Sequence, residues 1–207
     1  IRKHQLIYSY DMVKDSIAWY DVFYADDYWD KGKKLTDYSW AISNDKIILA
    51  PLYDHEMQVF DIPSGQVIDR KTVKSSAINN FDFVNSLPSG INEGLKNDLK
   101  YDRYNTLIYD PYRRVFYRFY DQGFELEEDY PVEKISSMDL SRPYLGVLIL
   151  DEDLNPIGEH KFQKNEVYTF SNHFVGEKGL YISTNNLFNE DFSEDSFRYA
   201  VFSLEKQ

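Results

Sequence analysis

The chain has 207 residues, 43% of them hydrophobic and 28% charged, a balance typical of a globular protein and not of a disordered one. Its formal net charge of -12 opposes contact with phosphate backbones, so we predict no nucleic-acid partner. The absence of cysteine excludes disulfides, thiolate metal sites and cysteine nucleophiles. No apolar run approaches the ~18 residues that a membrane span needs, so none is predicted in this chain.

Aromatic residues make up 17% of the chain, with 18 Tyr and 14 Phe. Tyr and Phe fit the pleated, half-buried surface of a sheet, so this surplus favours strands over helices. In chain order, the first strands are predicted at 5–10 and 17–24, and a charged loop follows at 26–34.

The next predicted unit is a set of three strands, at 46–52, 58–62 and 66–72. The turn Pro63-Ser64-Gly65 separates the last two strands, because Pro fixes one backbone angle and Gly supplies a positive φ. Residues 86–100 are predicted to be a connecting loop with at most one helical turn at 93–99.

The clearest hairpin is predicted from Tyr104 to Tyr120. Strands at 104–109 and 115–120 flank the turn Asp110-Pro111-Tyr112, in which Asp binds the following backbone and Pro fixes φ. Period-2 alternation divides the side chains of the second strand between its two faces. One face carries Val115, Tyr117 and Phe119, and the opposite face carries Phe116, Arg118 and Tyr120.

Two further hairpins complete the chain. Strands at 144–150 and 157–162 flank a polar turn, and strands at 179–183 and 197–204 flank a long acidic loop. The hairpin centres are about 40–50 residues apart, the repeat length of a four-stranded β-propeller blade. We therefore predict one all-β domain over residues 1–207, with about four propeller blades. A β-sandwich, which has similar alternation, is the alternative.

No metal, cofactor or catalytic residue is predicted. Asp151, Asp153 and Asn155 imitate the start of a calcium loop, but Pro156 and Phe162 stand where such a loop needs Gly and Glu. A polar β-turn explains the segment better. The acidic clusters 125–129 and 190–195 are expected to be solvated loops.

The most binding-like residues combine aromatic rings with guanidinium groups, since Arg stacks on rings and clamps carboxylates. The candidate ligand-binding residues are Tyr112, Arg113, Arg114, Arg118 and His55. Packing of Arg against aromatic side chains across neighbouring strands is the structural alternative for the arginines. For His55, between Asp54 and Glu56, a solvated turn is the alternative.

The segment 109–119 (YDPYRRVFYRF) resembles a motif in a family of bacterial lipoproteins from gut Gram-negative anaerobes that carries only a domain-of-unknown-function label. The segments 146–151 (GVLILD) with 157–159 (IGE), and 177–183 (EKGLYIS) with Asn185 and Asn186, are similar to that family's last blades. The resemblance extends from about Tyr101 to the C-terminus and is thin before Lys46.

This resemblance implies a propeller of six or seven blades, of which the chain would be the C-terminal portion with N-terminal blades missing. It also implies a location at the bacterial cell envelope, in the periplasm or on the outer-membrane surface, through an N-terminal lipid anchor absent from this chain. The family has no established catalytic residues to carry over.

Two functions follow as hypotheses. The first is a binding or scaffold module for a glycan or peptide ligand, without catalysis. The second is a glycan hydrolase or lyase that uses carboxylates and a histidine. Clustering of His55, His160 and acidic residues at one mouth of the propeller's central channel would favour this second hypothesis. An incomplete set of blades would also leave edge strands exposed, so self-association is a further expectation.

Overall fold

The computed structural model describes residues 3–83, 86 and 88–204, except for the side chains of residues 169 and 171. Within these residues thirteen strands and two helices form, and the prediction of an all-β chain is confirmed. No helix in the described part of the chain is long and apolar enough to cross a membrane. The strands are β1 (Ile7–Asp11), β2 (Ser16–Tyr20), β3 (Tyr38–Ser43), β4 (Lys46–Pro51), β5 (Glu56–Asp61), β6 (Gln66–Thr72), β7 (Arg103–Asp110), β8 (Val115–Asp121), β9 (Leu145–Leu150), β10 (Pro156–Lys161), β11 (Tyr168–Gly176), β12 (Gly179–Ser183) and β13 (Tyr199–Phe202). The helices are α1 (Ile91–Lys100) and α2 (Val132–Leu140).

The strands form four antiparallel sheets, and each sheet uses strands that are consecutive in the chain. Sheet A contains β1 and β2, sheet B contains β3 to β6, sheet C contains β7 to β10, and sheet D contains β11 to β13. Every strand therefore pairs with its sequence neighbour, the pattern that short hairpin turns produce.

The turn between β7 and β8 shows why the sequence folds back at this point. Asp110 Oδ1 accepts hydrogen bonds from the backbone N–H groups of Tyr112 and Arg113, at 2.9 and 3.0 Å. In the turn between β5 and β6, Gly65 adopts a φ of 66° and donates its N–H to Asp61 O. Both predicted turns are confirmed, because their geometry is set by local side-chain chemistry.

Strand β8 is buried along its whole length, and its two faces contact different sheets. The predicted division of its side chains is confirmed: Val115, Tyr117 and Phe119 pack toward sheet D, and Phe116 packs toward sheet B. The side chains that join sheets B and C include Ile48, Met57, Val59, Phe116, Leu148 and Leu150. Another cluster, with Val22, Leu49 and Phe60 at its centre, joins sheet A to sheet B. The sheets therefore stack face to face in chain order, and sheets B and C each contact a neighbouring sheet on both faces.

Helix α1 corrects the prediction for residues 86–100, of which residue 87 lies outside the described residues. A helix of ten residues forms there instead of a loop with one turn. Ile91, Leu95 and Leu99 recur at helical spacing, but this stripe is short and the glycines and proline of the segment favour a loop. Helix α2, not predicted either, buries Ile135 alone. Strand β3 was also not predicted, and it leaves Trp40 and Ile42 exposed.

The outer faces of the two terminal sheets are apolar and exposed. On sheet A, the register pairs Tyr8 with Trp19 and Tyr10 with Ile17, all on the face that points away from sheet B. On sheet D, the outer face carries a cluster of aromatic and aliphatic side chains: Phe174, Tyr181, Tyr199 and Val201. Among the described residues, β1 and β2 pair only with each other and β13 pairs only with β12, so the first and last sheets do not join.

Candidate functional site

Two of the predicted site residues, His55 and Arg118, lie together between sheets B and C. Arg118 is fully buried on β8. Its guanidinium donates hydrogen bonds to the carbonyl oxygens of Pro51 and Asp54 at 2.8 Å and of Val73 at 3.0 Å. These acceptors belong to sheet B and its connections, so Arg118 joins the two sheets through hydrogen bonds.

Tyr104 completes this cluster. The guanidinium carbon of Arg118 lies 3.4 Å from the centroid of the Tyr104 ring, and His55 Nδ1 lies 2.8 Å from the Tyr104 hydroxyl oxygen. Burial, assisted by the positive charge of Arg118, lowers the pKa of His55 to about 4. Burial also lowers the pKa of Arg118 to about 10, which leaves it charged at neutral pH. The observed contacts are those of a structural cluster, and ligand binding by these residues stays a prediction.

The other predicted residues lie at the turn between β7 and β8, at the opposite end of β7 from Tyr104. Arg113 donates to Asp110 and to the carbonyl oxygens of Gly176 and Glu177, so it fastens this turn to the turn between β11 and β12. Arg114 forms an ion pair with Glu152. Tyr112 is 58% exposed. Unlike the two arginines, the Tyr112 side chain has no hydrogen bond or ion pair with the described residues, so a ligand could contact it without breaking one.

The two histidines of the enzyme hypothesis lie in different clusters. His55 contacts Phe81 and Tyr104, whereas His160 on the edge strand β10 contacts Phe162 and Phe202. The arrangement that favours a shared acid–base site does not form among the described residues.

The calcium-like segment is a self-contained turn. Asp151 accepts hydrogen bonds from the backbone N–H groups of Asp153 and Asn155 and from the Asn155 side chain. The Lys71 ammonium donates to the Asp153 carbonyl and to Asn155 Oδ1. A lysine thus supplies the positive charge at this turn, and no group of three His or acidic residues able to hold a metal occurs in the described ranges.

An aromatic pocket that the sequence did not predict lies at the end of sheet C where β8 ends and β9 begins. Its volume is about 260 Å³. Its lining is mainly apolar and aromatic and includes Phe124, Tyr130, Met138, Pro143, Tyr144 and Phe188. Phe124 and Tyr144 meet edge to face, with centroids 6.0 Å apart. Proteins bind small molecules in concave, mainly apolar sites of this kind.

Charged and polar side chains surround this aromatic pocket. Lys134 Nζ lies 4.0 Å from the centroid of Tyr130, and Lys164 Nζ lies 6.0 Å from that of Tyr144. Asn165 also lines the pocket, and its Oδ1 is buried with no hydrogen-bond partner among the described residues.

A network of arginine and aspartate side chains holds the two helices next to the pocket. Arg142 contacts Asp98 of α1 at 2.6 Å and Asp139 of α2 at 3.2 Å, and Arg103 contacts Asp98 at 2.6 Å and Asp121 at 2.9 Å. Burial alone would raise the pKa of Asp98, but the guanidinium groups of Arg103 and Arg142 hold that pKa below its ordinary value. The network therefore fixes α2, which supplies Lys134 and Met138 to the pocket.

The architecture is an all-β fold of stacked antiparallel sheets, with an aromatic pocket at one end of sheet C. The family model described as "Domain of unknown function (DUF4221)" matches residues 6–161, and the chain belongs to this family. The predicted membership of a family of unknown function is thereby confirmed. The matched range begins far before Tyr101 and ends at residue 161, so it extends further toward the N-terminus than the sequence motifs indicated and does not include the segment 177–183.

The crystal structure of a DUF4221 member from Bacteroides vulgatus has a similar fold, with a TM-score of 0.80 and 23% sequence identity. The similarity covers 100% of this chain and 56% of the other, so the chain spans a little more than half of that protein's length. No curated protein matches the chain.

Proposed function

We propose that this protein is a glycan-binding module without a catalytic site, and that the aromatic pocket is its binding site. The pocket carries the proposal because it combines open aromatic rings with polar groups in a concave site. The apolar face of a sugar ring packs on an aromatic side chain, while its hydroxyl groups reach polar atoms at the edge. A volume of about 260 Å³ suits a single ring of a longer glycan.

The separation of the histidines supports a binding role over the hydrolase or lyase alternative. His55 is held by the Tyr104 hydroxyl, and His160 lies against Phe162 and Phe202. Neither histidine lines the aromatic pocket.

The proposed scaffold is an arc of propeller blades, and two features support it. Sheets B and C are four-stranded antiparallel meanders that stack face to face, as blades do. The outer faces of sheets A and D carry exposed apolar side chains, which further blades would cover. A relative nearly twice as long has room for such blades within a ring of six or seven.

The proposal places the protein at the bacterial cell envelope, anchored by lipid in its full-length precursor. The motif resemblance described above supports this location. Fractionation of cells that produce the full-length protein tests it, and recovery in the cytosolic fraction would contradict it.

The binding site is tested with an immobilised panel of glycans and the 207-residue chain. We expect at least one glycan to bind, and Tyr144→Ala to weaken that binding by about tenfold or more, because the substitution removes a pocket ring. Tyr112→Ala is the matched control, since Tyr112 is an exposed tyrosine outside the pocket. Loss of binding in Tyr112→Ala with full binding in Tyr144→Ala would move the site to the β7–β8 turn.

A further inference from the structure

We infer that the aromatic pocket selects an acidic sugar, in which the carboxylate of a uronic-acid residue lies between Lys134 and Lys164. This inference rests on the proposed function and specifies its ligand. It depends on the charges around the pocket, which the proposal of a glycan site does not use.

The two lysines are available to a ligand. Neither Lys134 nor Lys164 has an ion pair among the described residues, and both side chains are held by contacts with tyrosine rings of the pocket. Two other lysines near the pocket already form ion pairs, Lys100 with Glu125 and Lys96 with Asp129.

The local balance of charge favours a ligand with one negative charge. The acidic residues that line the pocket are Glu125, which Lys100 neutralises, and Glu127. Lys134 and Lys164 against Glu127 leave a net charge of +1 at the pocket. A carboxylate carries a single charge, whereas a phosphate monoester, with up to two negative charges, costs more to remove from water into this mainly apolar and aromatic pocket.

The polar lining suits a sugar better than a simple aromatic acid. Asn165 is fixed by its backbone N–H, which donates to Pro143 O at 3.0 Å. Its Oδ1 is an acceptor that lacks a donor among the described residues, and a buried acceptor without a partner is costly. Because this oxygen is covered by protein, we expect the Asn165 side chain to rotate toward the pocket to accept a hydrogen bond from a sugar hydroxyl, while the sugar ring packs on Tyr144.

The experiment compares a panel of uronic-acid trisaccharides with the same trisaccharides after reduction of each carboxyl group to a primary alcohol. Calorimetry with the 207-residue chain measures the affinities. We expect at least one acidic member to bind at least about tenfold more tightly than its reduced counterpart, and the difference to shrink as salt rises. A sugar phosphate tests the alternative anion and is expected to bind more weakly than the uronide.

Variants then assign the effect to the pocket. The double variant Lys134→Met and Lys164→Met keeps most of both apolar side chains and is expected to abolish the preference for the acidic form. Lys178→Met, an exposed lysine of the turn between β11 and β12, is the matched control and should keep that preference. Glu127→Gln is expected to tighten uronide binding severalfold, so this variant tests the inference even if the double variant fails to fold.

The outcomes separate the inference from the proposed function. Equal binding of acidic and reduced sugars at the pocket would overturn the inference and keep the glycan site. Tighter binding of the sugar phosphate would also overturn it. If neither form of any sugar binds, the proposed function itself is wrong.

Discussion

The guanidinium carbon of Arg118 lies 3.4 Å from the ring centroid of Tyr104, and this stacked pair is buried where sheet C meets sheet B. The same guanidinium donates to three backbone carbonyl oxygens. Among the described residues it has no direct ion pair, so its charge is balanced by carbonyl dipoles, an aromatic face and the nearby Asp54 carboxylate.

Replacing Arg118 with Met is therefore expected to lower the free energy of unfolding by about 3–5 kcal/mol, because three backbone carbonyl groups, two of them in buried residues, lose a hydrogen-bond donor. Arg114→Met is the matched control. Arg114 is exposed, and solvent screens its ion pair with Glu152, so this variant should change the free energy of unfolding little. Urea denaturation of both variants measures the difference, and equal midpoints would contradict a structural role for Arg118.

The pH dependence of stability should reveal His55. Its pKa is about 6.5 when unfolded and about 4 in the fold, so between these values the unfolded chain binds more protons. Above pH 6.5 His55 is mainly neutral in both states and does not reduce the stability of the fold. As the pH falls from 6.5 toward 4, the unfolded chain binds a proton that the folded chain does not, so the free energy of unfolding decreases. After allowance for solvent screening, the expected loss between pH 7.5 and pH 5 is about 1 kcal/mol.

The free energies of unfolding of the original chain and of His55→Gln are measured at about pH 7.5 and about pH 5. The contributions of the titratable groups that both proteins share then cancel in the comparison. The original chain should lose more stability on acidification than the variant. Parallel losses in the two proteins would show that His55 titrates normally in the fold.

Two glycines of sheet C offer a second matched pair. A Cβ at Gly146 would lie 2.2 Å from the Tyr120 ring, which covers this position from β8. At Gly158, on the edge strand β10, the nearest atom is Ile149 Cδ1 at 3.4 Å. Gly146→Ala should destabilise the protein by about 1–3 kcal/mol, whereas Gly158→Ala should change stability by less than about 0.5 kcal/mol. Thermal melts that rank the two variants in the opposite order would disprove this packing.

Removal of metal ions is expected to leave the protein unchanged. The carboxylate of Asp151 is occupied by donors of its own turn, and the Lys71 ammonium binds the oxygens that a cation would need. Melting curves with and without a chelator should overlay. A large loss of stability in the chelator would mean that the turn at residues 151–155 does hold a metal.

The exposed faces of the terminal sheets predict self-association of the 207-residue chain. Trp19 on sheet A is 55% exposed, and it shares its face with Tyr8, Tyr10 and Ile17. Apolar patches and open strand edges of this kind promote contact between copies. Sedimentation should show a dimer or larger species, and Trp19→Glu should shift it toward monomer. Trp40→Glu, at 56% exposure on sheet B, is the control and should have no such effect.

The sequence by itself determined the hairpins and the two faces of β8. A turn such as Asp110-Pro111-Tyr112 contains its own hydrogen-bond acceptor, and period-2 alternation assigns Phe116 and Tyr117 to opposite faces wherever the strand lies. These properties depend on residues close together in the chain, so sequence reasoning reaches them.

Only the tertiary structure decided the position of the helices and the existence of the pocket. Helix α1 is held by ion pairs of Asp98 with Arg103 and Arg142, and it buries Leu99. Its apolar residues recur at helical spacing, but they number only three, and Gly90 and Gly94 favour a loop, so the local pattern does not establish the helix. The pocket joins residues from 124 to 188, and none of the segments between them carries a binding motif. Its rings and lysines become neighbours because sheets C and D stack on one buried cluster, and that long-range packing has no local pattern in the sequence.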